Sequence, residues 1–173
     1  MTATREPDVS RKVGAMTVTL KSNLEIEFSR VFDAPRRLVF EAHARAEHVR
    51  RWWGPHGSTM TECELDFRPG GYWRFVIRTR DGKQVAFFGE YREIQAPERF
   101  VWTFAFDGLP PAEAGLETYT FSEADGKTTL VAVGHFTSIE SRDAALATGM
   151  EKGAAETWDR LADLLPTLLP TPS

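Results

Sequence analysis

The chain has a single cysteine, Cys63, among its 173 residues, and that scarcity excludes an intramolecular disulfide framework and a zinc site built from cysteines. A reducing, cytoplasmic compartment fits it best. No apolar run approaches the roughly 18 residues a membrane span needs, and the N-terminal stretch MTATREPDVSRKVGAM lacks the hydrophobic segment of a signal peptide. A net charge of −4 leaves no basic excess to neutralise phosphates, so neither nucleic acid nor a membrane is an expected partner. Also missing are a serine elbow and a phosphate-cradling glycine loop. His43, His48 and His56 lie near Glu41 and Glu47, but His48 is five residues from His43 and points to another helix face. No metal and no cofactor is expected.

What the chain does contain is a helical stripe near its end. Leu146, Met150, Ala154, Trp158, Leu161 and Leu165 recur at three- and four-residue steps, the spacing of one helix face. Ser141 as cap and Pro166 as stop predict one continuous helix over 141–165, about 35 Å long. Gly149 and Gly153 stand one turn apart within it, each costing about 1 kcal/mol against alanine. Close packing on a sheet would offset that cost; so would room left for a ligand.

Upstream, residues 1–15 read as a flexible leader without periodicity, and 166–173 as a C-terminal tail, leaving a single domain at 16–165. Alternation through Val18, Leu20, Leu24, Ile26 and Phe28 predicts a long first strand or a broken pair. Asp33 as cap and Pro35 in the first turn open one or two short helices that run to Trp52-Trp53, and Gly54-Pro55 ends them. Period-two segments around Cys63 to Phe67, Trp73 to Ile77, Val85 to Ile94, Phe100 to Phe106, Leu116 to Ser122 and Thr128 to Phe136 follow, with a loop at Leu109-Pro110-Pro111. The count is about seven antiparallel strands, an α+β arrangement whose aromatic face is buried only if the sheet curls around the final helix.

Four segments together carry a resemblance: Phe32-Asp33-Ala34-Pro35, Arg51-Trp52-Trp53-Gly54-Pro55, Asp66 through Trp73, and Gly149-Met150-Glu151-Lys152-Gly153. Over Met16 to Leu165 the chain resembles the START-like, birch-allergen-like superfamily (SRPBCC), in the branch named for the homologue of the heat-shock-protein ATPase activator. The resemblance implies a helix-grip fold, a curved antiparallel sheet around the C-terminal helix, with a cavity that in many relatives takes an apolar small molecule. Two departures carry expectations of their own. Ala44-Arg45-Ala46-Glu47 replaces the Thr-Asp-Pro-Glu that separates the short helices in many relatives, so the two helices are expected to run together. Ala154 stands where many relatives carry an aromatic, so the cavity is expected to be larger there.

The candidate ligand-binding residues are Trp52 and Trp53 at the mouth, Trp73, Phe75, Trp102 and Phe104 as walls, and Met150 and Ala154 on the helix side. His135 is the candidate acid or base. Arg74, Arg78, Glu90 and Arg92 are expected to cross-pair on the outer face, and Cys63 to be a buried, inert thiol. Three functions stay open: a non-catalytic binder of a small hydrophobic or amphipathic molecule, a polyketide-cyclase-like enzyme, and a chaperone-ATPase accessory. The enzyme needs an inward carboxylate or histidine. A homodimer also stays open.

Overall fold

The computed structural model describes residues 9–107 and 115–169. The loop expected at Leu109-Pro110-Pro111, residues 1–8 of the leader and 170–173 of the tail lie outside the described residues. Three strands come first: β1 (Val9–Val13), β2 (Met16–Ser22) and β3 (Glu25–Phe32). Helices α1 (Arg36–Ala44) and α2 (Ala46–Trp52) follow. Then come β4 (Thr59–Leu65), β5 (Tyr72–Arg78), β6 (Gln84–Gln95), β7 (Arg99–Phe106), β8 (Gly115–Ala124) and β9 (Lys127–His135), and finally α3 (Ile139–Ala147) and α4 (Met150–Leu168). The sheet is antiparallel throughout, in the order β1-β2-β3-β9-β8-β7-β6-β5-β4. Register shifts at Thr19/Ser22, Met60/Glu62 and Tyr91/Glu93 bend it into the grip.

Among the described residues, nine strands replace the expected seven. The first segment is the broken pair β2 and β3, and β1 lies within the stretch read as leader. β1 is an edge strand whose first four residues are exposed, so no apolar alternation marks it. Its ladder with β2 and an ion pair from Arg11 to Glu151 of α4, at 3.2 Å, hold it in place.

The short helices do not fuse. Arg45 is extended (φ −119°, ψ 127°), and α2 folds back so that the Trp52 indole donates to Ala42 O at 3.0 Å. Along a straight helix ten residues would separate those groups by about 15 Å. Pro35, not Asp33, occupies the cap of α1, and Glu123 on β8 accepts from the Arg36 amide at 2.6 Å.

The C-terminal helix is likewise two helices. Gly149 adopts a left-handed conformation (φ 75°, ψ 25°) that breaks the chain between α3 and α4, a backbone region costly for residues with a Cβ. Ser138, not Ser141, caps α3 by accepting from the Ser141 amide at 3.0 Å. α4 continues past Leu165 through Pro166 to Leu168, because a proline in the last turn forfeits only one ladder bond. Ala155, Trp158, Leu161, Leu164 and Leu165 form its buried face, with Trp158 edge-on to Phe28 and Phe32 of β3 at 6.4 and 6.0 Å. Close packing does not explain Gly153: beyond its own helix backbone, no heavy atom of the described residues lies within 4 Å of the place a Cβ would take. None of the helices described is long and apolar enough to cross a membrane.

Candidate functional site

Alternation along the central strands turns one set of side chains inward: Trp73 and Phe75 from β5, Phe87 and Tyr91 from β6, Phe100, Trp102 and Phe104 from β7, and Glu117, Tyr119 and Phe121 from β8. Trp73 and Trp102 stack at 4.1 Å with their planes 19° apart. The Trp73 indole donates to Thr103 O at 3.2 Å across Gly89, where a Cβ would collide with both groups. That glycine therefore lets two strands and an indole share one crossing point.

Trp53 closes this cluster from the helix side. Its ring meets Trp73, Phe75, Phe87 and Trp102 at 6.3, 5.1, 5.8 and 5.9 Å, edge-on geometry that suits aromatic quadrupoles. The loop behind it turns at Gly54 (φ 104°). Arg160 of α4 ties that loop down, its guanidinium donating to Trp53 O, Gly54 O and Ser58 Oγ at 3.1, 3.0 and 3.1 Å. Trp73 and Trp102 are sealed, whereas Trp53, Phe87 and Phe104 keep an accessible edge.

Glu117 is the charged residue of this face. The register pairs it with Trp102 on one side and Gly134 on the other. Oε1 accepts from the Trp102 indole at 2.7 Å and from the Tyr119 hydroxyl at 3.4 Å. Burial pushes its carboxyl up to about 7, against those two hydrogen bonds. Tyr119 is raised in turn, by burial and by the neighbouring carboxyl. Further along the core, His43 is enclosed by Trp52, Phe121 and Tyr119 at 4.8, 5.2 and 5.9 Å. Burial lowers its pKa to about 4, so the neutral ring donates from Nδ1 to Val39 O at 2.8 Å and leaves Nε2 without a partner among the described residues.

Six of the nine residues singled out in the sequence come together here: Trp52, Trp53, Trp73, Phe75, Trp102 and Phe104. Trp52 lies wholly inside, so only Trp53 of the pair reaches the mouth. Met150 and Ala154 are partly buried on α4, packed against the core but outside the ring cluster. His135 stands apart at the end of β9, half-exposed and 3.8 Å from Glu25. Arg74 pairs with Glu62 at 3.4 Å and Arg92 with Glu90 at 4.0 Å, both on the exposed face. Cys63 is buried, and burial pushes its thiol up to about 11, which suppresses the reactive thiolate.

Where the resemblance implies a cavity, the described residues place packed rings. An open surface concavity of about 350 Å³ is lined by Pro55, His56, Thr79, Arg80, Asp81 and Glu156. A second, of about 220 Å³, lies over Lys12, Thr17 and Arg30. Nor do three His, Cys, Asp or Glu side chains converge as metal ligands do among the described residues. The sequence reading passed over Glu117, although its two-residue step to Tyr119 and Phe121 placed it on the inner face.

The family model described as Activator of Hsp90 ATPase homolog 1-like protein matches residues 33–166. A solved structure from Rhodobacter sphaeroides is 25% identical, with a TM-score of 0.80 over 88% of this chain and 99% of that one. One from Mycobacterium smegmatis, 24% identical, has a TM-score of 0.76 over 96% and 100% of the two chains. A third, from Nitrosomonas europaea, is 21% identical with a TM-score of 0.76 over 86% and 97%. No curated protein matches the chain.

Proposed function

The chain belongs to the Activator of Hsp90 ATPase homolog 1-like family, and from that premise we propose that it binds a small hydrophobic or amphipathic molecule within the helix grip. The observation that carries this reading is the ring cluster with an accessible rim: Trp53, Phe87 and Phe104 remain partly exposed around sealed Trp73 and Trp102, beside one inward carboxyl. Pockets for small ligands have this composition, mostly apolar walls with few polar groups. The rings fill the grip, so a ligand enters by displacing Trp53 from its four neighbours.

A neutral apolar dye such as 1-aminoanthracene tests it. Saturable binding to the folded chain is expected, with quenching of tryptophan fluorescence and a rise in Tm by mass action. Phe104→Lys should weaken that binding by about tenfold or more, since a lysine at the rim puts charge where the dye packs. Absence of binding by wild type across a panel of neutral apolar compounds overturns the reading.

Glu117 favours a second reading, the polyketide-cyclase-like enzyme, because a carboxyl near neutrality that faces the grip is the group such an enzyme needs. Its mark would be a substrate that Glu117→Gln still binds and no longer turns over.

A further inference from the structure

The two oxygens of Glu117 are not equivalent. Oε1 takes both the Trp102 and the Tyr119 hydrogen bonds, while Oε2 has no partner among the described residues and is not sealed from solvent. No lysine or arginine among those residues pairs with Glu117. The partly buried arginines are engaged elsewhere: Arg30 with Asp159 at 2.6 Å, Arg142 with Ser22 O at 2.6 Å, and Arg160 with the Trp53 loop. The carboxyl is held by Trp102 and Tyr119, and Trp53, Trp73 and Phe104 pack in turn on the Trp102 ring.

Resting on the reading of the grip as a ligand site, we propose that Glu117 sets its selectivity. The site takes molecules whose apolar body ends in a hydrogen-bond donor, a hydroxyl or an ammonium, and rejects those ending in a carboxylate. A donor finds Oε2 unpartnered beside the ring cluster once Trp53 is displaced. An ammonium gains the faces of the rings as well. A carboxylate loses its water, meets no counter-charge and faces another carboxyl, which forces one of the two to hold a proton. Fatty-acid-like anions are therefore the wrong class of ligand for this grip, and phenol-like or amine-bearing aromatics the right one. The near-neutral ionisation of Glu117 is consistent with this, since the group is ready to ionise when a cation arrives.

A matched series decides it: 2-naphthol, 2-naphthylmethylamine and 2-naphthoate, titrated at pH 7.5 into the full chain by calorimetry. The naphthol and the amine are expected to bind about tenfold or more tighter than the naphthoate, the scale of one hydrogen bond to a charged group. The Trp102 indole N–H resonance should move with both donors, because it shares the carboxyl they contact. Glu117→Gln, which keeps an acceptor for Trp102, should bring the three affinities to within about threefold of one another.

The failures are distinct. Binding of none of the three removes the ligand site and this inference with it. Equal binding of all three, or naphthoate binding tightest, leaves the site standing and overturns the selectivity. Should Glu117→Gln not fold, the wild-type ranking and the Trp102 resonance still decide: a preference for donors with an unmoved indole resonance places the selection elsewhere and overturns the role of Glu117.

Discussion

At Glu117 the folded chain holds its proton more tightly than the unfolded chain does, because burial moves the carboxyl from 4.5 up to about 7. Between those values the unfolded state ionises first, so this group's contribution to stability is full below pH 4.5 and is lost as pH rises to 7. His43 works in the other direction. Its ring falls from 6.5 to about 4 on burial, so its contribution is full above pH 6.5 and is lost as pH falls toward 4. Over pH 4.5 to 6.5 the two slopes oppose each other, each about 1.4 kcal/mol per pH unit, and nearly cancel. Glu117→Gln should expose the histidine: stability of that variant is expected to fall by about 2 to 3 kcal/mol, relative to its own value at pH 6.5, when the pH is lowered to 4.5. Urea unfolding of both proteins at the two pH values measures this. A variant that keeps the wild-type pH profile would mean that Glu117 titrates as an ordinary surface carboxylate.

At the scale of elements, two glycines that look alike in the sequence do different work. Gly149 stands in a left-handed conformation between α3 and α4, so Gly149→Ala should destabilise by about 1 kcal/mol. Gly153 lies inside α4 with open space where a Cβ would go. Gly153→Ala should therefore stabilise, by up to about 1 kcal/mol, through helix propensity alone. Thermal melts of the two variants should move in opposite directions; a loss of stability in both would return Gly153 to the packed role first expected of it. These positions also mark what the sequence made legible. Apolar period and turn residues located β4 to β9, and the two helical segments to within a few residues at their ends, because most of these elements bury one face. Periodicity carried straight across Thr148-Gly149, since the apolar positions on either side keep step, and it therefore hid a break that backbone chirality imposes. β1 was illegible for the opposite reason: an exposed edge strand buries neither face. Glu117 was legible in principle, two residues before Tyr119 on β8, but a charged residue at an inward position reads as an outward one until the register is known.

For the molecule as a whole, the uneven seating of the last two helices sets where it opens first. α4 buries Trp158, Leu161, Leu164 and Leu165, side chains that contribute on the order of 1.5 to 3 kcal/mol each. α3 buries no residue fully. What holds it is the Ser138 cap, a hydrogen bond from Arg142 to Ser22 O at 2.6 Å, and short contacts with α4 across the Gly149 break. Such an element belongs to the low-stability end of a fold and opens without global unfolding. Native-state hydrogen exchange should accordingly find α3 amides far less protected than those around Leu161. Ser138→Ala gives the sharper test. Loss of an N-cap costs about 1 kcal/mol, which is about fivefold in an opening equilibrium. If α3 opens by itself, its amides should exchange about fivefold faster in the variant and, in both proteins, with little dependence on low urea, while exchange around Leu161 accelerates steeply with urea because it needs a larger opening. If α3 and α4 behaved as the single helix that their apolar period suggests, the two would share one opening free energy and one urea dependence. Only the first outcome is compatible with a left-handed hinge at Gly149 that uncouples the two.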